Sequence, residues 1–273
     1  FLAEGADVVA AALAAGWRPQ VVFLREDVAD ELGERLSLVP ADPAEGGPSQ
    51  GPGAAAGPPA PGVFVVSDRV AARLSTLETP VDAVAVLPLP ERRAAAALAT
   101  PAAGRDALVV CVDGLQDPGN VGTLIRAAAA FGASAVVTSQ GAADPYGPKT
   151  VRASMGALFA LPVVAGVEVA EVVAGLPDAV VYGLDAHRGE PLGATALTRP
   201  AVLVVGAERA GLSAAAARRV DHLLTIPLAP ARPGAVESLN AGVAGAIALY
   251  EFARRSSGAA EDPSRRADAA QEG

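Results

Sequence analysis

Three short segments in the second half of this 273-residue chain gather side chains that could do chemistry. The first is Asp117-Pro-Gly-Asn-Val-Gly-Thr-Leu-Ile-Arg126, the second Val204-Val-Gly-Ala-Glu208, and the third Ile226-Pro-Leu228 followed by Glu237-Ser-Leu-Asn240. Arg126 sits among Val121, Leu124, Ile125 and four alanines. An arginine on so apolar a helix needs a partner or a task, unless it snorkels to solvent. A guanidinium effectively never deprotonates, so the chemistry open to it is gripping an anion, not taking a proton. Gly206 ends a buried strand and lets a ligand come close to the backbone, with Glu208 at the strand edge. Glu208 alone would read as a surface glutamate before a turn. Ser238 and Asn240 open the last helix and could cap it. The Asp117-Pro-Gly turn leads to Asn120, a good N-cap.

The elements that must position these groups alternate strand and helix. Strands are predicted at 108–112, 135–138, 180–183, 202–205 and 223–226. Helices are predicted at 121–131, 148–159, 169–174, 214–220 and 239–255. Continuous apolar strands separated by helices argue for a parallel sheet covered on both faces. In such a fold the ligand lies at the carboxyl ends of the strands, where all three segments fall. The last helix is apolar nearly all round, which suits a helix clamped between its own domain and a partner subunit, or a central core helix of a monomer. Residues 1–39 read as strand, helix, strand, helix, strand. Residues 41–62, dominated by Gly, Pro and Ala, read as a mobile loop inside this small α/β unit. The unit resumes with a strand at 63–66, a helix capped by Ser67 and a strand at 81–87. The expected organisation is therefore a small α/β domain at 1–88, a linker at 89–105, a larger α/β domain at 106–255 and a disordered tail at 256–273.

Composition narrows the classes. Hydrophobic residues make up 51% of the chain, enough for a sizeable core, yet aromatics are only 4%, so that core must be mainly Ala, Val and Leu. No apolar run reaches the roughly 18 residues of a membrane span, and no secretory leader pattern is visible. Cys111 is the one cysteine. It excludes an internal disulfide and fits a reducing cytoplasm, as an inert core thiol. Phe1 in place of an initiator Met implies that the native start lies upstream. His187 and His222 have no ligand spacing with each other or with Cys111, so no metal is expected. The net charge of −9 weighs against nucleic acid as a partner, but the acidic excess lies mainly in residues 1–100, with seven arginines against thirteen acids. Residues 101–255 are nearly balanced, and Arg152, Arg209, Arg218, Arg219 and Arg232 could make a local basic surface. Neither a Walker-type phosphate loop, nor a dinucleotide fingerprint, nor a nucleophile elbow is present.

Taken together and in order, the three segments resemble the three motifs of the SpoU/TrmH family of RNA ribose 2'-O-methyltransferases, within the SPOUT superfamily. Phe1-Leu-Ala-Glu-Gly5, Thr76-Leu-Glu-Thr-Pro80 and Val151-Arg-Ala-Ser-Met-Gly-Ala-Leu-Phe159 are similar to further family segments. The resemblance implies a catalytic domain with a deep C-terminal trefoil knot, a small RNA-binding domain before it, and a homodimer with its active sites at the subunit interface. It implies S-adenosyl-L-methionine as the cofactor. Gly206, Ile226 and Leu239 match positions that contact the cofactor largely through backbone, with Leu228 and Leu184 as added candidates. Asn120, Arg126, Glu208, Ser238 and Asn240 match the polar catalytic set. On this basis Arg126 grips a phosphate and the developing charge, and Ser238 relays or holds the proton. Asn120 and Asn240 orient the sugar, and Glu208 positions Arg126 or the loop near the cofactor. The loop at 229–236 is longer than usual in the family, and 41–62 is an insertion. The implied substrate is structured RNA, most of all ribosomal RNA, in housekeeping or in antibiotic resistance. A tRNA ribose methyltransferase, a non-catalytic RNA-binding module of the same fold and a nucleotide-binding enzyme of another α/β class remain as alternatives.

Overall fold

The computed structural model of the chain describes residues 1–38, 61–76, 81–90, 106–229 and 236–258. Most of the expected Gly/Pro-rich loop, the linker beyond Pro90, residues 77–80, the loop at 230–235 with Arg232, and the tail beyond Gly258 lie outside the described residues.

The first unit is a four-stranded sheet in the order β1-β4-β2-β3. Its strands are β1 (Leu2–Glu4), β2 (Val21–Arg25), β3 (Gly62–Val66) and β4 (Ala83–Val86), with helices α1 (Ala6–Ala14), α2 (Ala29–Leu36) and α3 (Asp68–Leu74). β4 runs antiparallel to both β1 and β2, while β2 and β3 are parallel. No third strand forms before residue 39. α2 instead ends at Ser37 in a left-handed turn. Ser67 precedes α3 without a side-chain cap bond. Glu4 is buried and accepts hydrogen bonds from the Ser75 hydroxyl (3.1 Å) and the Thr76 hydroxyl (3.0 Å). A buried carboxylate needs such partners. They tie the first strand to the end of α3.

The second unit is a seven-stranded, wholly parallel sheet. Its strands are β5 (Leu108–Asp113), β6 (Ala135–Thr138), β7 (Val163–Ala165), β8 (Val180–Leu184), β9 (Glu190–Pro191), β10 (Ala201–Gly206) and β11 (His222–Thr225), in the order β7-β6-β5-β10-β8-β11-β9. β10 thus enters between β5 and β8, which both precede it in the chain. β11 likewise enters between β8 and β9. Side chains alternate across a strand, and that alternation builds two cores. Leu108, Val110, Val112, Leu203 and Val205 meet α4 (Pro118–Ala130) and α8 (Ala241–Gly258) on one face. Val109, Cys111, Val202 and Val204 meet α6 (Val169–Gly175) and α7 (Ala214–Ala217) on the other. Burial pushes the Cys111 thiol pKa well up, so the group is an inert core thiol, as its mid-strand position suggested.

Three expectations change on this side of the chain. The helix expected at 148–159 is two pieces, α5 (Pro148–Ala153) and a 3₁₀ turn at Ala157–Phe159, separated by Met155 and Gly156 at positive φ (49° and 86°). Short β7 and β9 were not foreseen, because two or three residues give no readable period. The last helix runs to Gly258, so residues 256–258 belong to it and not to a tail.

Aromatic side chains join the two units. The Phe1 ring lies 5.0 Å from Tyr146 and 5.8 Å from Trp17, and Trp17 lies 5.5 Å from Phe159. The Tyr146 hydroxyl donates to the Val163 carbonyl at 2.7 Å. Burial, with Asp144 adding to it, pushes that phenol up to about 12, so it remains a donor at physiological pH.

Candidate active site

The strands β8, β10 and β11 end together, and a cleft of about 270 Å³ opens at their carboxyl ends. Its walls include Leu184, Gly206, Ile226, Leu228 and Leu239, which are all five of the sequence-predicted cofactor contacts. Glu208 and Ser238 of the predicted catalytic set line it as well. Asn120, Arg126 and Asn240 do not.

Two of the loops that shape the cleft are fixed by hydrogen bonds. After β10 the chain folds back on itself, with Ala207 and Gly211 exchanging backbone hydrogen bonds at 3.0 and 2.9 Å. Gly206 is needed for that fold. A Cβ there would collide with the backbone of Gly211 and Leu212. The close approach expected of a ligand is therefore made by the chain itself. Buried Asp113, at the end of β5, accepts from the Ser213 backbone N–H at 2.6 Å and anchors the loop from below. After β8, Asp185 accepts from the backbone N–H groups of His187 (3.0 Å) and Arg188 (2.9 Å) and from the Arg188 guanidinium (2.8 Å). Partial burial acts to raise the Asp185 pKa. The His187 backbone bond, then the Arg188 bonds, outweigh it and hold the carboxyl below its ordinary range. Sequence reasoning missed Asp185 and Arg188 because nothing but their place after a strand marks them.

α4 brings the first segment to the edge of the cleft. Asp117, not Asn120, is its N-cap, and its carboxylate accepts from the Asn120 N–H at 2.7 Å. Pro118 at the first helical position needs no N–H partner. The Asn120 carboxamide is thereby free, and it donates to Glu208 Oε1 at 2.5 Å. Glu208 thus holds Asn120, and Arg126 is not its partner. Arg126 lies six residues further on, roughly 9 Å along the helix axis, exposed and without an ion pair among the described residues.

α8 completes the constellation. Asn240 Oδ1 accepts from the Val243 N–H at 3.1 Å, the capping role its sequence position suggested. A Cβ on Gly242 would stand 3.2 Å from both the Asn120 and the Asn240 side-chain oxygens and 3.3 Å from Thr123. The absence of a Cβ at Gly242 therefore leaves room for both carboxamides. At Gly245 the crowding groups are Leu124 and Val205. In both places side chains fill the space. The outer face of α8 presents Val243, Ile247 and Tyr250, which are 45%, 37% and 52% exposed. No group of three potential metal ligands occurs among the described residues, and His187 and His222 are exposed.

The profile of the SpoU rRNA methylase family matches residues 107–250, from the strand β5 into α8. The chain belongs to that family. Among its curated relatives, the 23S rRNA (guanosine(2553)-2'-O)-methyltransferase RlmP of Bacillus subtilis is 36% identical over 190 residues, which cover 69% of this chain and 71% of RlmP. The 23S rRNA (uridine(2479)-2'-O)-methyltransferase of Streptomyces viridochromogenes is 38% identical over 186 residues, or 65% of this chain and 62% of that protein. In three dimensions the chain is similar to the SpoU methyltransferase AviRb of Streptomyces viridochromogenes in complex with AdoMet. The TM-score is 0.75 at 28% identity, over 93% of this chain and 89% of AviRb. As a SpoU rRNA methylase family member, the chain is an RNA methyltransferase, and its cleft lies where open α/β sheets bind ligands.

Proposed function

We propose that this protein transfers a methyl group from S-adenosyl-L-methionine to a ribose 2'-hydroxyl of ribosomal RNA. The observation that carries the reading is the single cleft that gathers Leu184, Gly206, Ile226, Leu228 and Leu239 beside Glu208 and Ser238. The residues fit the cofactor. Aliphatic walls suit a purine ring, and the backbone N–H groups of Leu228 and Leu239 have no hydrogen bond to the described residues. The names of the relatives favour rRNA over tRNA as the substrate.

When bound, S-adenosylmethionine supplies a methyl already activated on a sulfonium, so the remaining task is alignment and management of one proton. Glu208 fixes Asn120, and the pair sets the edge of the cleft against which the ribose rests. Arg126, a permanent cation, grips a phosphate and the negative charge that grows on the hydroxyl oxygen. Ser238 accepts the hydrogen bond of the reacting hydroxyl and relays its proton to solvent water, and Asn240 orients the sugar while capping α8.

The reading includes a dimer with composite active sites. Arg126 stands apart from the Asn120–Glu208 pair within one subunit, and the half-exposed face of α8 supplies an apolar surface for a second copy. It also includes a trefoil knot, which the late entry of β10 and β11 between strands already laid down supports. The first unit serves as the RNA-binding domain, residues 1–88 in the expected division.

The test is transfer of radiolabelled methyl to unmodified 23S rRNA, large ribosomal subunits and tRNA, with Arg126→Ala as control. Label in rRNA that resists alkaline hydrolysis at one linkage, and is lost in the variant, is the expected result. Arg126→Lys should keep cofactor affinity but lose about tenfold or more in turnover, because an ammonium lacks the planar fork. Failure of the protein to bind S-adenosylmethionine would overturn the reading.

A further inference from the structure

A second cavity, of about 520 Å³, lies at the carboxyl ends of β6 and β7 and shares no residue with the cofactor cleft. Its size falls among small-molecule sites, roughly 300–1,000 Å³. The carboxyl ends of parallel strands are also where such sheets take ligands. The small unit contributes Trp17, and the large unit Tyr146, Leu161 and Pro162, to an apolar wall.

Thr138 brings a polar group to that wall. It lines the cavity and is 1% exposed. It stands two residues after Val136, and so on the sheet face whose core holds Val136, Tyr146 and, at its margin, Trp17. Its hydroxyl has no hydrogen-bond partner among the described residues. The neighbouring Ser139 is also buried, but its hydroxyl accepts from the Gly114 N–H at 2.9 Å. A buried hydroxyl left without a partner is costly, and a bound group would supply one.

Trp17 carries an independent observation. Phe1 and Phe159 meet the indole at interplanar angles of 89° and 70°, and no ring lies parallel to it among the described residues. A half-buried indole without a stacked partner is a platform for a flat ring.

Charge narrows the choice of ring. Among the described lining residues there is no Arg, Lys or His, and the one carboxylate is Asp144. Phosphates and carboxylates are poorly received there, and a neutral ring with N–H donors is well received. Asp144 Oδ1 accepts from the Tyr146 N–H at 2.9 Å, and Oδ2 has no partner among the described residues. Bases outside a duplex are recognised by stacking and by hydrogen bonds to their Watson–Crick edges. Guanine is the base whose edge sets two N–H donor groups, N1 and N2, side by side for a carboxylate, with the O6 acceptor next to them.

We propose that this cavity is a guanine-binding site. Trp17 stacks on the base, Asp144 accepts from N1–H and N2–H, and the Thr138 hydroxyl donates to O6. Two sources offer such a base, a free guanine nucleoside and an unpaired guanine of RNA, and the test separates them. The site stands on residues outside the cofactor cleft and goes beyond the functional reading above.

Trp17 is the one tryptophan of the chain, so quenching of its emission reads occupation of this cavity directly. The full chain is titrated with guanosine and with adenosine, S-adenosylmethionine being present to occupy the other cleft. Guanosine should quench saturably, and adenosine, which lacks the paired donors, should bind about tenfold more weakly. Asp144→Asn should weaken guanosine about tenfold and Thr138→Val about fivefold. Thr138→Val should leave the melting temperature unchanged or raised, because it removes an unpartnered buried hydroxyl. An unmodified 23S rRNA transcript is then titrated into the wild type and both variants. Weaker transcript binding in the variants assigns the base to RNA. Equal transcript binding, with guanosine quenching lost, assigns it to the free nucleoside. Absence of quenching by both guanosine and transcript would overturn the site. So would quenching that adenosine matches or that neither variant changes.

Discussion

Gly242→Ala separates the stability of α8 from the arrangement it creates. The new Cβ would lie 3.2 Å from the side-chain oxygens of Asn120 and Asn240 and 3.3 Å from Thr123, so each neighbour must move by a few tenths of an ångström. Neither carboxamide moves without consequence. Asn120 is held to Glu208 at 2.5 Å, and Asn240 caps the Val243 N–H at 3.1 Å. Losing or bending the first costs about 0.5–1.5 kcal/mol, and losing the second costs about 1 kcal/mol. Replacing a helical glycine by alanine returns about 0.5–1 kcal/mol. The net destabilisation is about 0.5–2 kcal/mol, a melting shift of a few degrees in a chain of this size. Catalysis should fall much further, by about 10–100-fold in kcat/KM, because misplaced orienting groups act directly on the reacting geometry. Gly245→Ala serves as the control. Its Cβ strikes Leu124 and Val205, not the carboxamides, so it should lose about 1–3 kcal/mol of stability and keep kcat/KM per folded molecule. Thermal unfolding and methyl transfer on rRNA measure the two effects. Wild-type kcat/KM in Gly242→Ala, with unchanged or higher melting temperature, would refute the idea that the placement of Asn120 and Asn240 beside Gly242 matters to the reaction.

Asp117→Ala removes the cap bond to the Asn120 N–H. It should lower stability by about 0.5–2 kcal/mol, read by denaturant titration. Glu208→Ala frees the Asn120 carboxamide and should reduce turnover while leaving the melting temperature within a few degrees, since Glu208 is exposed; equal loss of both would count against a site role. Glu251 concerns pH. Hydrogen bonds from Arg254 and then Arg255 outweigh partial burial and hold its carboxyl down at about 2. A carboxylate so depressed contributes stability that is complete above its unfolded pKa of about 4.3 and is lost as pH falls through the folded value. Glu251→Gln should therefore be less stable at neutral pH and show a flatter stability profile between about pH 4.5 and 2 in acid titrations of unfolding.

Much of the site was legible because buried parallel strands announce themselves as continuous apolar runs, and their carboxyl ends were known once the strands were. The three segments fall at those ends, and the five cofactor positions that the family resemblance implied, from Leu184 to Leu239, line one cleft there. What was not legible depends on partners distant in the chain. Asn120 looked like a cap until Asp117 took that role and released its side chain to Glu208, 88 residues away. Gly206 looked like room for a ligand, but the space is taken by Gly211 and Leu212. Asp185 and Arg188 carry no motif, and their loop is defined by hydrogen bonds that no local pattern encodes. The helix expected at 148–159 failed at Met155 because propensity does not mark the left-handed turn there, which ends α5 and sets Gly156 against Ala11 of α1.

The position of β10 has a consequence for how the protein comes into being. Its neighbours β5 and β8 are both made before it, and β11 is made later still. During synthesis the first three strands of the large sheet can pair as they emerge, but β5 and β8 must wait with open edges until residues 201–206 leave the ribosome. Unpaired parallel edges are templates for aggregation. The nascent chain therefore passes through an interval in which its most hydrophobic strands are made but not yet covered, and a stalled or clipped product ending near residue 200 would stay in that state. Such a fragment would be a client for chaperones and proteases, and the cleft at the ends of β8, β10 and β11 would form only once residues 201–225 have been translated.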